Sequence, residues 1–262
     1  VAAKAGVWGS AISYHAANIL ATRRVLKACR LHKIGFLVYT SSPSVVFSHD
    51  SIRGSDESIP YGKHWLCHYS RTKAMAEQEI LAANGEGGLR TIALRPHLVW
   101  GAGDPHLLPR VVSRHKASKL RIVGDGQNSM DMTHVENVAY AHILALEALS
   151  TGNHPGGNAY FITQDEPIAL WPWLNNLFLS LELPLLEKRI SFRFAYSIGF
   201  LMEAAWKILK LGGEPPMTRF VAVQLAKDHW FSIAAARSDL GYEPIISMEE
   251  GLEETFAWLR TI

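Results

Sequence analysis

Tyr69 and Lys73 stand four residues apart in YSRTKAMAE, a stretch of good helix formers. On a helix that spacing puts both side chains on one face, about 5–6 Å apart at Cβ. A free phenol has a pKa of about 10 and exchanges its proton slowly near neutrality. An ammonium one turn away favours the phenolate, so the pair is a candidate acid–base group for chemistry at a substrate oxygen. A further hydroxyl would hold that oxygen, and TSSPS at 40–44 supplies several. Alone, Y-x-x-x-K is a weak signal, and its simpler reading is a surface tyrosine beside a solvated lysine. It gains weight because TSS upstream and LRP (94–96) downstream each close an apolar run.

Those runs, IGFLVYTSS (34–42) and LRTIALRP (89–96), predict buried strands. Helices are predicted at 13–32, with Ile19, Leu20, Val25, Leu26 and Cys29 at helical spacing, and at 69–84, stopped by Asn84-Gly85. Further helices are expected near 107–117 and 135–150, with a short strand at 120–124 (LRIVG). This alternation predicts an α/β protein with a Rossmann-like, doubly wound parallel sheet. Such sheets bind ligands at strand carboxyl ends, where 40–44 and Pro96-His97 would lie. From about residue 155 the pattern changes to a strand and helical segments at 170–182, 192–211 and 247–260. In 192–211, Phe194, Ile198, Leu201, Ala205 and Ile208 follow helical spacing, interrupted by Glu203, Lys207 and Lys210. That suits a core helix, a wall of an apolar channel, or a helix resting on a membrane surface, but not a membrane span.

The 262 residues are 48% apolar and 19% charged, with a formal net charge of +2, as in a soluble globular protein. So small an excess gives no reason to expect a nucleic-acid partner. The two cysteines form neither a disulfide framework nor a zinc ligand set. His64, Cys67 and His68 lack a further ligand at suitable spacing, so no metal is expected. A reducing, cytoplasmic setting follows as the expectation.

VYTSSPSVVF, YSRTKAMAE, LRPHLVWGAGD and GDGQNSMDMTHVENVAYAH together resemble the extended short-chain dehydrogenase/reductase superfamily, in its 3β-hydroxysteroid dehydrogenase-like branch. The resemblance implies an NAD(P)-dependent oxidoreductase, using NADP or NAD, that interconverts a ketone and a secondary alcohol. It implies Tyr69 as proton donor or acceptor, Lys73 as its modulator and a ligand of the nicotinamide ribose, and Ser42 as the catalytic serine, with Ser41 the alternative. It further implies cofactor contacts from Ala2, Ala3, Lys4 and Ser41, and from Pro96, His97 and Leu98 at the nicotinamide end. Asn18 matches a helix asparagine that orders the site. Residues 1–154 then form the dinucleotide-binding domain and 155–262 mainly a smaller substrate-binding lobe. The family's Gly-rich pyrophosphate turn has no counterpart here, since the early glycines are Gly6, Gly9 and Gly35. The expectation is an N-terminally incomplete sequence of a working enzyme, lacking its first βαβ unit; the alternative is a short form that binds cofactor poorly.

Related sugar-nucleotide epimerases and dehydratases carry a diphosphate-binding arginine where this chain has Met130, which favours an apolar substrate. GEPPMTRFVAVQLAKDHWFS and RSDLGYEP resemble the reductases of bacterial long-chain olefin synthesis and, more distantly, sterol-4-carboxylate 3-dehydrogenases. That implies a 2-alkyl-3-oxoalkanoate or sterol-like β-oxo or β-hydroxy acid, with Arg219 a candidate for its carboxylate. A homodimer and peripheral membrane contact are further expectations. The competing readings are an epimerase or dehydratase, and a non-catalytic dinucleotide sensor; sensors tend to lose the Tyr-Lys pair retained here.

Overall fold

The computed structural model describes residues 3–105 and 107–261. The chain opens on α1 (Ala11–Tyr14), a π-helical stretch (His15–Leu20) and α2 (Ala21–Leu31). The wider π turn shifts the phase of the apolar stripe. Ile19, Leu26 and Cys29 are buried as the spacing predicts, whereas Leu20 and Val25 face solvent. Next come β1 (Phe36–Thr40), a 3-10 turn (Pro43–Val46), β2 (Ile52–Ser55) and α3 (His68–Ala82). They are followed by β3 (Arg90–Pro96), β4 (Val99–Trp100), α4 (Leu107–Lys116), β5 (Ile122–Val123), β6 (Ser129–Met130), β7 (Thr133–His134) and α5 (Val135–Ser150).

β8 (Asn158–Ile162) completes a parallel sheet of order β1–β3–β8, with Val38 opposite Ile92 and Ile92 opposite Asn158. Alternation along the strands sorts their side chains onto two covered faces. Ile92, Leu94, Tyr160 and Ile162 pack with Ala141, Ala145 and Leu149 of α5. On the other face Phe161 packs with Ala74 of α3, while Ile80 joins Leu26 of α2 and Leu89. The sheet is therefore doubly wound, as expected. β8 falls within 155–262, so part of that stretch packs back on the sheet.

The remaining chain carries β9 (Ile168–Ala169), α6 (Leu170–Ser180), β10 (Arg189–Ile190), α7 (Phe192–Ile208), α8 (Arg219–Gln224), β11 (His229–Phe231), α9 (Ala234–Leu240) and α10 (Met248–Leu259). α9 returns to the sheet side, where Ala236 and Leu240 join the α5 core. A separate apolar core around Trp100, Trp171, Leu177 and Phe178 holds the lobe. The strand expected at 120–124 shrinks to β5, which pairs with β10 outside the central sheet.

α7 turns against its apolar periodicity. Phe194, Leu201 and Ile208 are exposed, and the buried stripe is Ala195, Gly199 and Glu203. Close approach explains the reversal: a Cβ on Gly199 would lie 2.6 Å from the backbone carbon of Thr218, at the start of α8.

Candidate active site

β1 and β3 end together, and α3 crosses the sheet behind them. What fastens α3 is a buried ion pair missed in the sequence: Arg95 Nη2 donates to Glu77 Oε1 at 2.6 Å, and Arg95 Nε to Oε2 at 3.1 Å. Tyr61 Oη donates to the same carboxylate at 2.7 Å. Glu77 is one turn beyond Lys73, at the same four-residue spacing that joins Lys73 to Tyr69. That repeat was the available signal.

Lys73 is buried, at 3% exposure. Its Nζ donates to the Thr40 carbonyl at 2.6 Å and to Tyr39 Oη at 2.8 Å. Burial pulls its pKa down to about 8, against a smaller opposing pull from Glu77. Thr40 is itself anchored, its hydroxyl 2.7 Å from His142 Nε2.

The Tyr69 phenol is pushed up from its ordinary value by burial, opposed by hydrogen bonding with the Ser42 hydroxyl. Lys73 is not among the influences on the Tyr69 phenol, where the expectation of Lys73 as its acidifier places it first. Burial dominates, and the ammonium is engaged by Thr40 and Tyr39 instead. Ser42 caps the 3-10 turn, where its Oγ accepts from Ser44 N at 3.2 Å. Ser41 is turned inward, and its Oγ is buried with no hydrogen-bond partner among the described residues.

His97 follows β3 and is buried against His229, Nε2 to Nδ1 at 2.7 Å. His229 Nε2 lies 2.9 Å from the Gln224 carbonyl, which only accepts. The proton of His229 is thus on Nε2, and His97 Nε2–H donates to His229 Nδ1. Burial holds both rings below the usual imidazole range, so both are neutral. The pair links the strand end to β11 in the lobe. Leu98, next in line, takes a φ of +38°, the left-handed region that a leucine rarely occupies. Such backbone strain gathers at functional sites.

Of the opening segment, Ala2 lies outside the described residues, and Ala3 is exposed. Lys4 is pinned by Asn18, whose Oδ1 accepts from Lys4 N at 2.7 Å and whose Nδ2 donates to Thr72 Oγ1 at 3.0 Å. Asn18 thereby ties this segment to α3 from inside the π turn. Tyr14 supports the next residues through contacts of its hydroxyl with the Gly6 and Trp8 carbonyls, at 2.8 and 3.2 Å.

A cavity of about 910 Å³ opens beside the start of α3, lined by Trp8, Trp65, His68, Arg71, Lys207 and Arg219 among others. Its wall includes Cys67 and His68, immediately before Tyr69, but not Ser42, Tyr69 or Lys73. Cys67 is near enough to the Tyr69 phenol to act on it electrostatically, so the cavity lies beside that residue without including the hydroxyl cluster in its wall. Met130 is buried in the apolar core of the lobe.

Residues 3–193 match the model of the 3-beta hydroxysteroid dehydrogenase/isomerase family. The chain belongs to that family. It is similar to a 2-alkyl-3-oxoalkanoate reductase of Stenotrophomonas maltophilia (strain K279a), with 49% identity over 255 residues, 95% of this chain and 76% of the relative. The sterol-4-alpha-carboxylate 3-dehydrogenase, decarboxylating, of Mus musculus is 32% identical over 246 residues, 92% of this chain and 68% of the relative. Among solved structures, UDP-glucuronic acid 4-epimerase from Bacillus cereus in complex with NAD has a TM-score of 0.72 at 20% identity, covering all of this chain and 73% of that one. RMD from Pseudomonas aeruginosa complexed with NADPH has a TM-score of 0.71 at 18% identity, again over all of this chain and 80% of that one. At such identities the likeness carries the fold alone.

As a member of the 3-beta hydroxysteroid dehydrogenase/isomerase family, this protein is an NAD(P)-dependent oxidoreductase acting on CH–OH groups. Its strand ends fit the nicotinamide end of such a cofactor: among the described residues Ser41 Oγ is buried without a hydrogen-bond partner, and Lys73 donates to two acceptors. No Gly-rich pyrophosphate turn occurs in these 262 residues.

Proposed function

We propose that this oxidoreductase reduces the 3-oxo group of a β-oxo acid with large apolar substituents, of the 2-alkyl-3-oxoalkanoate or sterol-like type. The observation that supports this reading is the Tyr69 phenol hydrogen-bonded with the Ser42 hydroxyl just beyond the carboxyl end of β1. A neutral phenol at working pH is the acid that a developing alkoxide needs. In this reading Ser42 donates to the substrate oxygen and Tyr69 delivers the proton. Lys73 supplies positive charge behind the phenolate left over and binds the nicotinamide ribose together with Ser41. NADP or NAD, when bound, supplies the hydride. Ala3, Lys4, Pro96, His97 and Leu98 frame the cofactor, and the His97–His229 pair fixes the lobe against that frame.

Met130, in the position where related nucleotide-sugar enzymes carry a diphosphate-binding arginine, supports an apolar substrate over a nucleotide-sugar. The exposed Phe194, Phe200, Leu201 and Ile208 of α7, with Lys207 and Lys210 among them, support contact with a membrane surface from the cytoplasmic side. No described helix is long and apolar enough to cross a membrane. Val25 and Leu31 on the outer side of α2 support a homodimer through paired helices.

The test is incubation of the natural protein and NADPH with a 2-alkyl-3-oxoalkanoate or with UDP-glucose, following NADPH oxidation and identifying products by chromatography and NMR. A 3-hydroxy acid formed from the first alone is expected. Conversion of UDP-glucose, with the oxo acid untouched, would replace this reading with an epimerase.

A further inference from the structure

The cavity beside α3 holds four cations, Lys63, Arg71, Lys207 and Arg219, against one carboxylate, Glu203. Arg219, a candidate for the substrate's acid group, is already occupied. Its Nε and Nη2 reach Glu203 Oε2 at 2.9 and 2.7 Å, and its backbone N donates to Oε1 at 2.7 Å. Glu203 is buried, so this pair is a closed strut between α7 and α8, with its carboxylate satisfied from three donors.

Lys63, Arg71 and Lys207 differ. None has a carboxylate partner among the described residues. Arg71 and Lys207 come from different elements, α3 and α7, yet their charges converge on one ring. After burial, Lys207 and then Arg71 hold the His68 imidazole below its usual range. Lys207 also stands over the Trp8 ring, 5.8 Å from its centre. Like charges gathered around a concave surface raise its potential and draw in an anion. Trp8, Trp65 and Leu66 offer apolar wall to the same space. The lining therefore suits an amphiphile with one anionic end and a greasy body.

We propose that Arg71 and Lys207, with Lys63 at the rim, receive the carboxylate of a long-chain acid, while Arg219 only braces the lobe. This names the acid-binding part of the substrate site and rests on the reductase reading for its position next to Tyr69. In a 3-oxo acid a single carbon separates the carboxylate from the reacting carbonyl. The receptor must therefore lie close to the Tyr69 hydroxyl, and Cys67 of the cavity wall is near enough to that phenol to act on it electrostatically.

The test is equilibrium binding, read from tryptophan fluorescence because Trp8 and Trp65 line the cavity. Tetradecanoate, methyl tetradecanoate and UDP-glucose are each titrated into the natural protein and into Arg71→Gln, Lys207→Met and the double variant. Both side chains are exposed, so the variants keep the fold, which circular dichroism checks. Tetradecanoate is expected to saturate and to bind more tightly than its ester. Each single variant should weaken the acid roughly threefold and the double variant roughly tenfold, as solvent-facing ion pairs allow. The ester should bind all four proteins alike. Equal affinity for acid and ester, equal weakening of both, no saturable binding, or cation-dependent binding of UDP-glucose alone would each overturn the proposal. Carboxylate-dependent binding without any reduction of oxo acids would fault the reductase reading and leave this subsite standing.

Discussion

Replacing Lys73 with Met should make the protein's stability depend on pH in a different way. The ammonium has a pKa of about 8 in the fold against 10.5 when free, chiefly because it is buried. A displacement of about 2.5 pH units corresponds to ~3.4 kcal/mol. A group held low binds fewer protons in the fold than in the unfolded chain, so stability rises with pH between the two values. Below about pH 8 the lysine is charged in both states and the full penalty falls on the fold. Between about pH 8 and 10.5 the fold releases its proton first, and the penalty fades. Lys73→Met removes it but leaves the Thr40 carbonyl without its donor, a loss of about 1–3 kcal/mol. Near neutrality the variant should thus be as stable as the natural protein or up to ~2 kcal/mol more stable. Urea unfolding from about pH 7 to about pH 10.5 measures this. The natural protein should gain on the variant by up to ~1.4 kcal/mol per pH unit over the upper part of that range. Parallel stability curves would refute the buried, charged lysine.

Asp131 gives the complementary case. Burial raises its pKa from 3.8 to about 7, opposed by the Phe231 amide that donates to it at 2.7 Å. The fold keeps this proton while the unfolded chain loses it, so stability should fall between about pH 4 and pH 7. Asp131→Asn should flatten that fall and raise stability above pH 7 by up to ~4 kcal/mol in thermal or urea unfolding. Arg95→Met, by contrast, strands Glu77, which is fully buried. A loss of about 3–5 kcal/mol is expected in the same assay, and a change below ~1 kcal/mol would count against the pair as the fastener of α3.

The sequence showed α3 plainly because its helix formers, its Tyr-Lys spacing and its Asn84-Gly85 stop all agree. The central strands were equally legible: β3 is apolar nearly throughout because both of its faces are covered. α7 misled for a physical reason. Its apolar stripe is real but faces outward, because Gly199 lets the backbone of α8 approach more closely than a phenylalanine could. Long-range partners were beyond reach. Nothing local in FLVYTSS indicates that Tyr39 and Thr40 would draw Lys73 away from Tyr69. Nor does LRPH announce that His97 would meet His229, from a strand 132 positions away. The Arg219–Glu203 pair likewise joins two helices that sequence reading treats separately, which is why Arg219 looked free.

The most direct test of the central claim is Tyr69→Phe in the natural protein, followed by single-turnover reduction of a 2-alkyl-3-oxoalkanoate. Ser42 and Lys73 stay in place and only the phenolic proton is lost. Reduction should slow by roughly 100-fold to 10,000-fold with NADPH affinity unchanged. Reduction at close to the natural rate, with the cofactor bound as before, would contradict the account.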